Sequence, residues 1–149
     1  MNKEIYTNSP EETESFGAEV ARYINEDASA PRFIALYGDL GVGKTAFVRG
    51  LASVIAPNSI VRSPTFAIVN EYRAQKSSLF HFDMYRIEDE DELYSIGFYD
   101  YLDRGLCVVE WSENIPYALP ECYLRVEITK CDADKPNLRH IGAKLVKNY

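Results

Sequence analysis

Apolar residues near the start of the chain recur with the period of an α-helix. Phe16, Val20 and Ile24 are four residues apart, which places them on one face of a helix. The segment Ser9-Pro10-Glu11-Glu12 predicts where this helix begins, because serine caps, proline suits the first turn and glutamate completes a capping box. The preceding segment, Lys3 to Thr7, is predicted to be a short edge strand.

Later in the chain, apolar or alternating runs predict strands, and two segments predict helices. The helical segments are Lys44 to Ala56 and Glu90 to Ile96, and Gly97 ends the second of them. The predicted strands are Arg32 to Tyr37, Phe66 to Tyr72, Leu79 to Asp83, Leu106 to Trp111, Tyr123 to Thr129 and His140 to Val146. Strands that alternate with helices are typical of an α/β fold in layers around a mostly parallel central sheet.

Length and composition narrow the class of protein. The 149 residues fit a single domain, 1–149, and 46% hydrophobic with 26% charged residues is an ordinary globular composition. No run approaches the roughly 20 apolar residues that a membrane span needs, and the N-terminus lacks a signal-peptide pattern, so we expect no membrane association. The three cysteines have neither metal-binding nor disulfide spacing, which favours a reducing, cytoplasmic location.

A glycine-rich segment between a predicted strand and a predicted helix matches the pattern G-x-x-x-x-G-K-[ST]. Glycine lets main-chain N–H groups approach phosphate oxygens closely and adopt unusual backbone angles. In such loops the lysine reaches the β- and γ-phosphates of a nucleotide, and the hydroxyl that follows it ligates Mg²⁺. The segment therefore predicts a phosphate site made by Gly38, Asp39, Leu40, Gly41, Val42, Gly43, Lys44 and Thr45.

Two acidic residues stand at the ends of apolar runs, where a lone charge is costly to bury without a purpose. Asp83 ends the run Leu79 to Asp83 and Glu110 ends the run Leu106 to Glu110, so both are candidates to hold Mg²⁺ or orient water in a nucleotide hydrolase. A helix cap or a salt bridge is the alternative interpretation for each. His81 shares a strand face with Asp83 by the two-residue period, and we expect it to be a core residue without a catalytic role.

Two further positions have both a structural and a functional interpretation. Thr65, in the segment Ser63-Pro64-Thr65-Phe66, is either a switch residue that senses the γ-phosphate or part of an ordinary Ser-Pro turn. Trp111, the only tryptophan, either packs against the protein or stacks on a nucleotide base.

The net charge of −7 makes broad binding to nucleic-acid backbones a poor hypothesis. The charge is uneven, since eight acidic residues and one basic residue lie between Asp83 and Asp103, whereas the segment from Lys130 to Tyr149 is basic. The acidic stretch is either a solvated surface or a docking face for a basic partner.

Together these motifs resemble the TsaE family, small bacterial ATPases required for making threonylcarbamoyladenosine in tRNA. The resemblance covers roughly residues 7 to 126 and follows the family order. The motifs that carry it are Gly38 to Thr45, Ser63 to Phe66, Val69 to Tyr72, His81 to Arg86, Ile96 to Phe98 and Val109 to Trp111.

The resemblance implies a three-layer P-loop fold and weak, Mg²⁺-dependent ATP hydrolysis inside a complex with the TsaB–TsaD transferase, through which tRNA is reached indirectly. By motif match, Lys44 would hold phosphate, and Thr45 and Glu110 would be the metal ligands. Asp83, Glu110 and Thr65 would be catalytic, with the division of roles between the two acids left open. Trp111 would lie against the base.

Other nucleotide-dependent functions remain as alternatives. Thr129-Lys130-Cys131-Asp132 fits a T-K-x-D guanine-reading pattern, although Asp83 is not followed by the glycine that a GTPase wants. A non-hydrolysing, nucleotide-dependent assembly switch would use the same residues as the ATPase. A small-molecule kinase is disfavoured because the chain has no clustered arginines for a lid.

Overall fold

The computed structural model describes residues 1–149 and contains one seven-stranded sheet. The strands are β1 (Asn2–Thr7), β2 (Phe33–Tyr37), β3 (Val69–Tyr72), β4 (Ser78–Asp83), β5 (Gly105–Glu110), β6 (Cys122–Lys130) and β7 (Arg139–Lys147). Their order across the sheet is β1-β7-β6-β2-β5-β4-β3. The four central strands are mutually parallel, and the three pairings nearer the edges are antiparallel. Since only β3 and β7 run against the others, the predicted mostly parallel α/β fold is confirmed.

Four helices connect these strands: α1 (Pro10–Glu26), α2 (Lys44–Ile55), α3 (Glu90–Ser95) and α4 (Phe98–Tyr101). Two single-turn 3₁₀ helices, Ser112–Asn114 and Pro116–Ala118, follow β5. The predicted cap of α1 is confirmed, because the Ser9 hydroxyl accepts a hydrogen bond from the Glu12 N–H at 3.2 Å. The Glu12 carboxylate reaches back to the N–H of Asn8 and not to that of Ser9, so the capping box is displaced by one residue.

The two faces of the sheet carry different hydrophobic clusters, which gives the molecule three layers. On β2, Ile34 and Leu36 pack with α1 and α2, whereas Phe33 and Ala35 lie on the opposite face with residues of α3 and α4. All five residues of β2 are buried, as its central position between parallel strands requires.

The alternation of side chains also decides which face the acidic strand ends occupy. Leu79 on β4 and Val108 on β5 belong to the cluster under α1 and α2. Asp83 and Glu110 follow them at even spacing, so both point to the face that carries α2. Because β2, β4 and β5 are parallel, their carboxyl ends lie at the same edge of the sheet as the start of α2.

The structure corrects several predicted boundaries. Strand β3 begins at Val69 and not at Phe66, because a tight turn from Pro64 to Ile68 precedes it and Ile68 has φ 70°. Strand β5 ends before Trp111, whose φ of 57° turns the chain out of the sheet. Helix α4 was not predicted, since four residues are too short to show a period.

None of the helices has the length and apolar composition required to cross a bilayer. All three cysteines are free, in agreement with their spacing.

Helices α1 and α2 cross where each has a glycine, and this contact generates a prediction about stability. A Cβ on Gly50 would lie 1.9 Å from the Glu14 carbonyl oxygen, far inside contact distance. Gly50→Ala should therefore destabilise the protein by about 1–3 kcal/mol in urea unfolding, although alanine is favoured in an isolated helix. Gly142→Ala is the control, because its Cβ would meet nothing nearer than 4.0 Å. Equal stability of the Gly50 variant and wild type would refute this account of the helix crossing.

Candidate functional site

The loop between β2 and α2 has the conformation that its glycines predict. Gly38, Gly41 and Gly43 have φ of 149°, 75° and 115°, in the region that favours glycine. A Cβ on Gly38 would also lie 2.7 Å from the Ile128 carbonyl oxygen. The loop leads directly into the first turn of α2. The main-chain N–H groups of that turn have no hydrogen-bond partner within the helix, and such groups suit an anion.

Lys44, the first residue of α2, folds back over this loop. Its Nζ donates to the Gly38 carbonyl oxygen at 2.6 Å and lies 3.9 Å from Oε1 of Glu110. Only 6% of Lys44 is exposed. Burial lowers the pKa of this ammonium group, and the neighbouring carboxylates of Glu110 and Asp83 act in the opposite direction. The lysine is thus held inside the loop in a hydrogen bond that a phosphate oxygen can replace.

The two strand-end acids lie side by side. Asp83 and Glu110 are register partners on the parallel strands β4 and β5, and they are 7% and 5% exposed. The Thr65 hydroxyl donates to Oδ2 of Asp83 at 3.1 Å, and the Tyr85 N–H donates to Oδ1 at 2.9 Å. The structure therefore brings together Thr65, Asp83, Glu110 and Lys44, although they come from four separate segments of the sequence.

A buried hydrogen-bonded chain behind Glu110 was not predicted. His81, which is fully buried, contacts Oε2 of Glu110 through its Nε2. On its other side, Nδ1 of His81 lies 3.5 Å from the Tyr72 hydroxyl, which also bonds the main-chain N–H and C=O of Arg62 at 3.1 Å. His81 therefore contacts no open space, yet it fixes the orientation of a candidate site carboxylate. Its even spacing from Asp83 was the sequence signal for this position.

Trp111 lies over the lysine. Its ring centroid is 4.3 Å from Nζ of Lys44 and 5.0 Å from the ring of Tyr85. A cation over an indole face is a favourable arrangement. This contact places Trp111 beside the lysine of the glycine loop, and its stacking on a base stays a prediction. Thr45 is partly buried, and its hydroxyl makes no hydrogen bond within the chain, which leaves it available as a ligand.

The tip of the loop faces a different region from the acids. Asp39 and Leu40 are exposed and line a cleft of about 410 Å³ between the loop and the end of β6. The other residues of the cleft are Gly38, Val42, Glu113, Glu127, Ile128, Thr129 and Lys130. Its size falls within the range of small-molecule sites.

The donor set fits a polyphosphate with a magnesium ion. Amides of the loop and the Lys44 ammonium suit phosphate oxygens, and a hydroxyl with carboxylates suits Mg²⁺. No group of three or more His, Cys, Asp or Glu side chains converges to hold a metal by itself. Mg²⁺ usually takes one or two protein ligands and completes its octahedron with phosphate oxygens and water, and Thr45 with Glu110 would suffice for that.

The sheet order, the glycine loop leading into α2 and the paired strand-end acids define the P-loop fold. The family model described as threonylcarbamoyl adenosine biosynthesis protein TsaE matches residues 7–140. The chain belongs to the TsaE family.

Individual relatives agree with this assignment. The chain is 38% identical over 130 residues to the TsaE protein of Bacillus subtilis, covering 87% of this chain and 78% of that protein. It is 37% identical over 139 residues to the TsaE protein of Aquifex aeolicus, covering 92% and 94%. The crystal structure of Bacillus subtilis YdiB superimposes with a TM-score of 0.74 at 31% identity, covering 99% of this chain and 89% of that one.

The buried hydrogen bonds behind Glu110 end at the Tyr72 hydroxyl and Arg62. Tyr72→Phe keeps the ring but removes the hydroxyl that bonds Arg62, so it should lower the free energy of unfolding by roughly 1–3 kcal/mol. Trypsin should also cleave faster after Arg62, because its main chain loses two hydrogen bonds. Tyr6→Phe, at an exposed tyrosine, is the control. Identical unfolding and proteolysis of the two variants would show that the hydroxyl does not restrain this segment.

Proposed function

We propose that this chain binds ATP with Mg²⁺ and hydrolyses it slowly, as a subunit of the assembly that makes threonylcarbamoyladenosine in tRNA. In this proposal it resets the TsaB–TsaD transferase between turnovers, and it meets tRNA only through that complex. The observation that carries the nucleotide part is the convergence of Lys44, Asp83 and Glu110 at the glycine loop. The biosynthetic part rests on family membership.

Phosphate binding would use contacts that the protein already makes internally. Lys44 would exchange the Gly38 carbonyl oxygen for a phosphate oxygen, without leaving the loop. Its burial strengthens the interaction, because an ammonium group in a low-dielectric site attracts an anion more strongly than one in water. The cost of burying the lysine is thereby recovered when the anion arrives.

The remaining polar groups would organise the metal ion and water. Thr45 and Glu110 would ligate Mg²⁺, whose chemistry when bound is to neutralise charge on the phosphates. The Thr65 hydroxyl donates to Oδ2 of Asp83, so a water molecule oriented by Asp83 would also be within reach of that hydroxyl. Asp83 and Glu110 divide the work of orienting water and holding Mg²⁺ between them.

The segment that carries Thr65 has an exposed apolar side chain, and this supports activation by partner proteins. Phe66, the next residue, is 87% exposed, and its ring contacts only the guanidinium of Arg86 at 5.1 Å among the charged groups. In this proposal a partner that covers Phe66 would also contact the segment that carries Thr65. Slow turnover in isolation and faster turnover in the complex are therefore expected.

Guanine specificity is disfavoured by the geometry of the T-K-x-D segment. Oδ1 of Asp132 accepts a hydrogen bond from the Asp134 N–H at 2.8 Å, within its own turn. The Asp132 carboxylate therefore stabilises the turn that follows β6. Asp132 does not line the cleft beside the phosphate loop. ATP remains the proposed nucleotide, with GTP as the competitor to measure.

The proposal predicts ATP hydrolysis that is slow in the pure protein, faster with TsaB–TsaD and tRNA, and weaker with GTP. Glu110→Gln should retain ATP binding but lose at least about tenfold in turnover, as expected when a charge at the reacting centre is removed. Lys44→Ala should lose binding altogether, since it removes the ammonium group from the loop. Steady-state release of phosphate measures the turnover of both variants, and calorimetric titration with ATP measures their binding.

The same variant separates the ATPase from the assembly switch. If Glu110→Gln binds ATP, turns nothing over and still supports tRNA modification, hydrolysis is dispensable and the switch is correct. Turnover that prefers GTP, or that ignores the partners, would contradict the proposed function while leaving the fold unaffected.

A further inference from the structure

An arginine from the last strand is hydrogen-bonded to the phosphate loop. Nε of Arg139 donates to the Val42 carbonyl oxygen at 2.8 Å, across 97 residues of sequence. Nη1 of the same guanidinium donates to the carbonyl oxygens of Pro136 at 2.7 Å and Leu138 at 3.0 Å. Arg139 forms no ion pair, so its polar contacts are with main-chain carbonyl groups alone.

The bond to Val42 fixes one particular peptide group of the loop. In a trans peptide the C=O and the following N–H point in opposite directions. Holding the Val42 carbonyl oxygen outward, toward Arg139, therefore directs the Gly43 N–H to the other side of that peptide plane. Gly43 has φ 115° and precedes α2, so its backbone has freedom that a side chain would not allow. The hydrogen bond from Arg139, which lies outside the loop, restricts the backbone freedom of Gly43.

The same guanidinium also holds the connection between β6 and β7. Residues 131–137 of this connection are exposed, and two turns close it through Lys135 N–H to Asp132 and Leu138 N–H to Lys135, both at 3.1 Å. Arg139 follows directly and bonds two carbonyls of the connection as well as one of the phosphate loop. One side chain therefore links the position of an exposed hairpin to the shape of the phosphate loop.

We propose that Arg139 is a positioning residue for the phosphate loop, and that through it the β6–β7 hairpin sets the affinity for the phosphates of a nucleotide. Arg139 does this by orienting the Gly43 peptide, and it touches no phosphate itself. The proposal rests on the proposed nucleotide site. It assigns an influence on nucleotide affinity to the β6–β7 hairpin, which contains none of the motifs of the nucleotide site.

The test is the dissociation constant of ADP and of pyrophosphate, measured by calorimetry on wild type and on matched variants. Arg139→Gln and Lys135→Gln each remove one positive charge from the same hairpin, but only Arg139 contacts the loop. Arg139→Gln should raise both dissociation constants about tenfold, the effect of leaving the loop in its binding conformation in about one molecule in ten. Lys135→Gln should stay within about twofold, as screening of an exposed charge implies.

Two more variants separate positioning from charge and from simple stability. Arg139→Lys keeps the charge but lacks the planar guanidinium that spans the carbonyls of Val42, Pro136 and Leu138, so its affinity should lie between wild type and Arg139→Gln. Pro136→Gly loosens the hairpin without touching the loop, and it should weaken binding in the same direction but less. Melting temperatures of the ligand-free variants are measured alongside.

Several results would overturn the proposal. Arg139→Gln binding like Lys135→Gln, or Arg139→Lys binding like wild type, would reduce Arg139 to a surface charge. A lower melting temperature of Arg139→Gln with unchanged dissociation constants would show that Arg139 acts on stability alone. Unchanged dissociation constants in Pro136→Gly would show that the hairpin does not affect nucleotide binding. If Arg139→Gln does not fold, Arg139→Lys decides. Wild type that binds no ADP would instead refute the proposed function.

Discussion

The arrangement depends on keeping one lysine charged inside the protein. Lys44 is almost fully buried, and its ammonium group lies near a carbonyl oxygen, an indole face and the carboxylates of Glu110 and Asp83. Burial of a charge without such partners would cost several kcal/mol. The neighbouring acids lower this cost, but they also leave the site with more negative charge than the lysine balances. In the proposed function a magnesium ion would accompany the polyphosphate, and its charge would offset part of the negative charge of the two carboxylates and the phosphates.

The fold supplies this charge cluster through ordinary features of parallel sheets. Strands β2, β4 and β5 end at one edge, so the loop, Asp83 and Glu110 meet there without any contribution from long insertions. The glycine contact between α1 and α2 lets the two helices cover the same face closely. Lys44, Asp83 and Glu110 are themselves buried, so their charges interact in surroundings of lower dielectric constant than water.

Features encoded locally were predictable from the sequence, and features that depend on distant pairing were not. The glycine loop, the N-cap at Ser9 and the two strand-end acids each depend on a few neighbouring residues, and the structure has them where they were expected. The partnership of His81 with Glu110 depends on the register of β4 against β5, which no local pattern specifies.

The hydrogen bond between Arg139 and Val42 joins residues that lie still farther apart in the sequence than His81 and Glu110. It joins the last strand to the loop after β2, and nothing in the basic segment around Arg139 distinguishes this residue from its neighbours. A Ser-Pro turn was one interpretation of the segment before β3, but its extension to Ile68 was missed, since a positive φ at isoleucine is one that only the surrounding structure can enforce.

We propose that the glycine loop and the strand-end acids form one site for a metal–nucleotide pair. Equilibrium dialysis of the pure protein against ATP and Mn²⁺, with Mn²⁺ in place of Mg²⁺, is the test. ATP and Mn²⁺ should be retained together in equal amounts, one of each per chain, and Mn²⁺ alone should not be retained. Retention of Mn²⁺ without nucleotide, or no retention of ATP, would contradict this proposal.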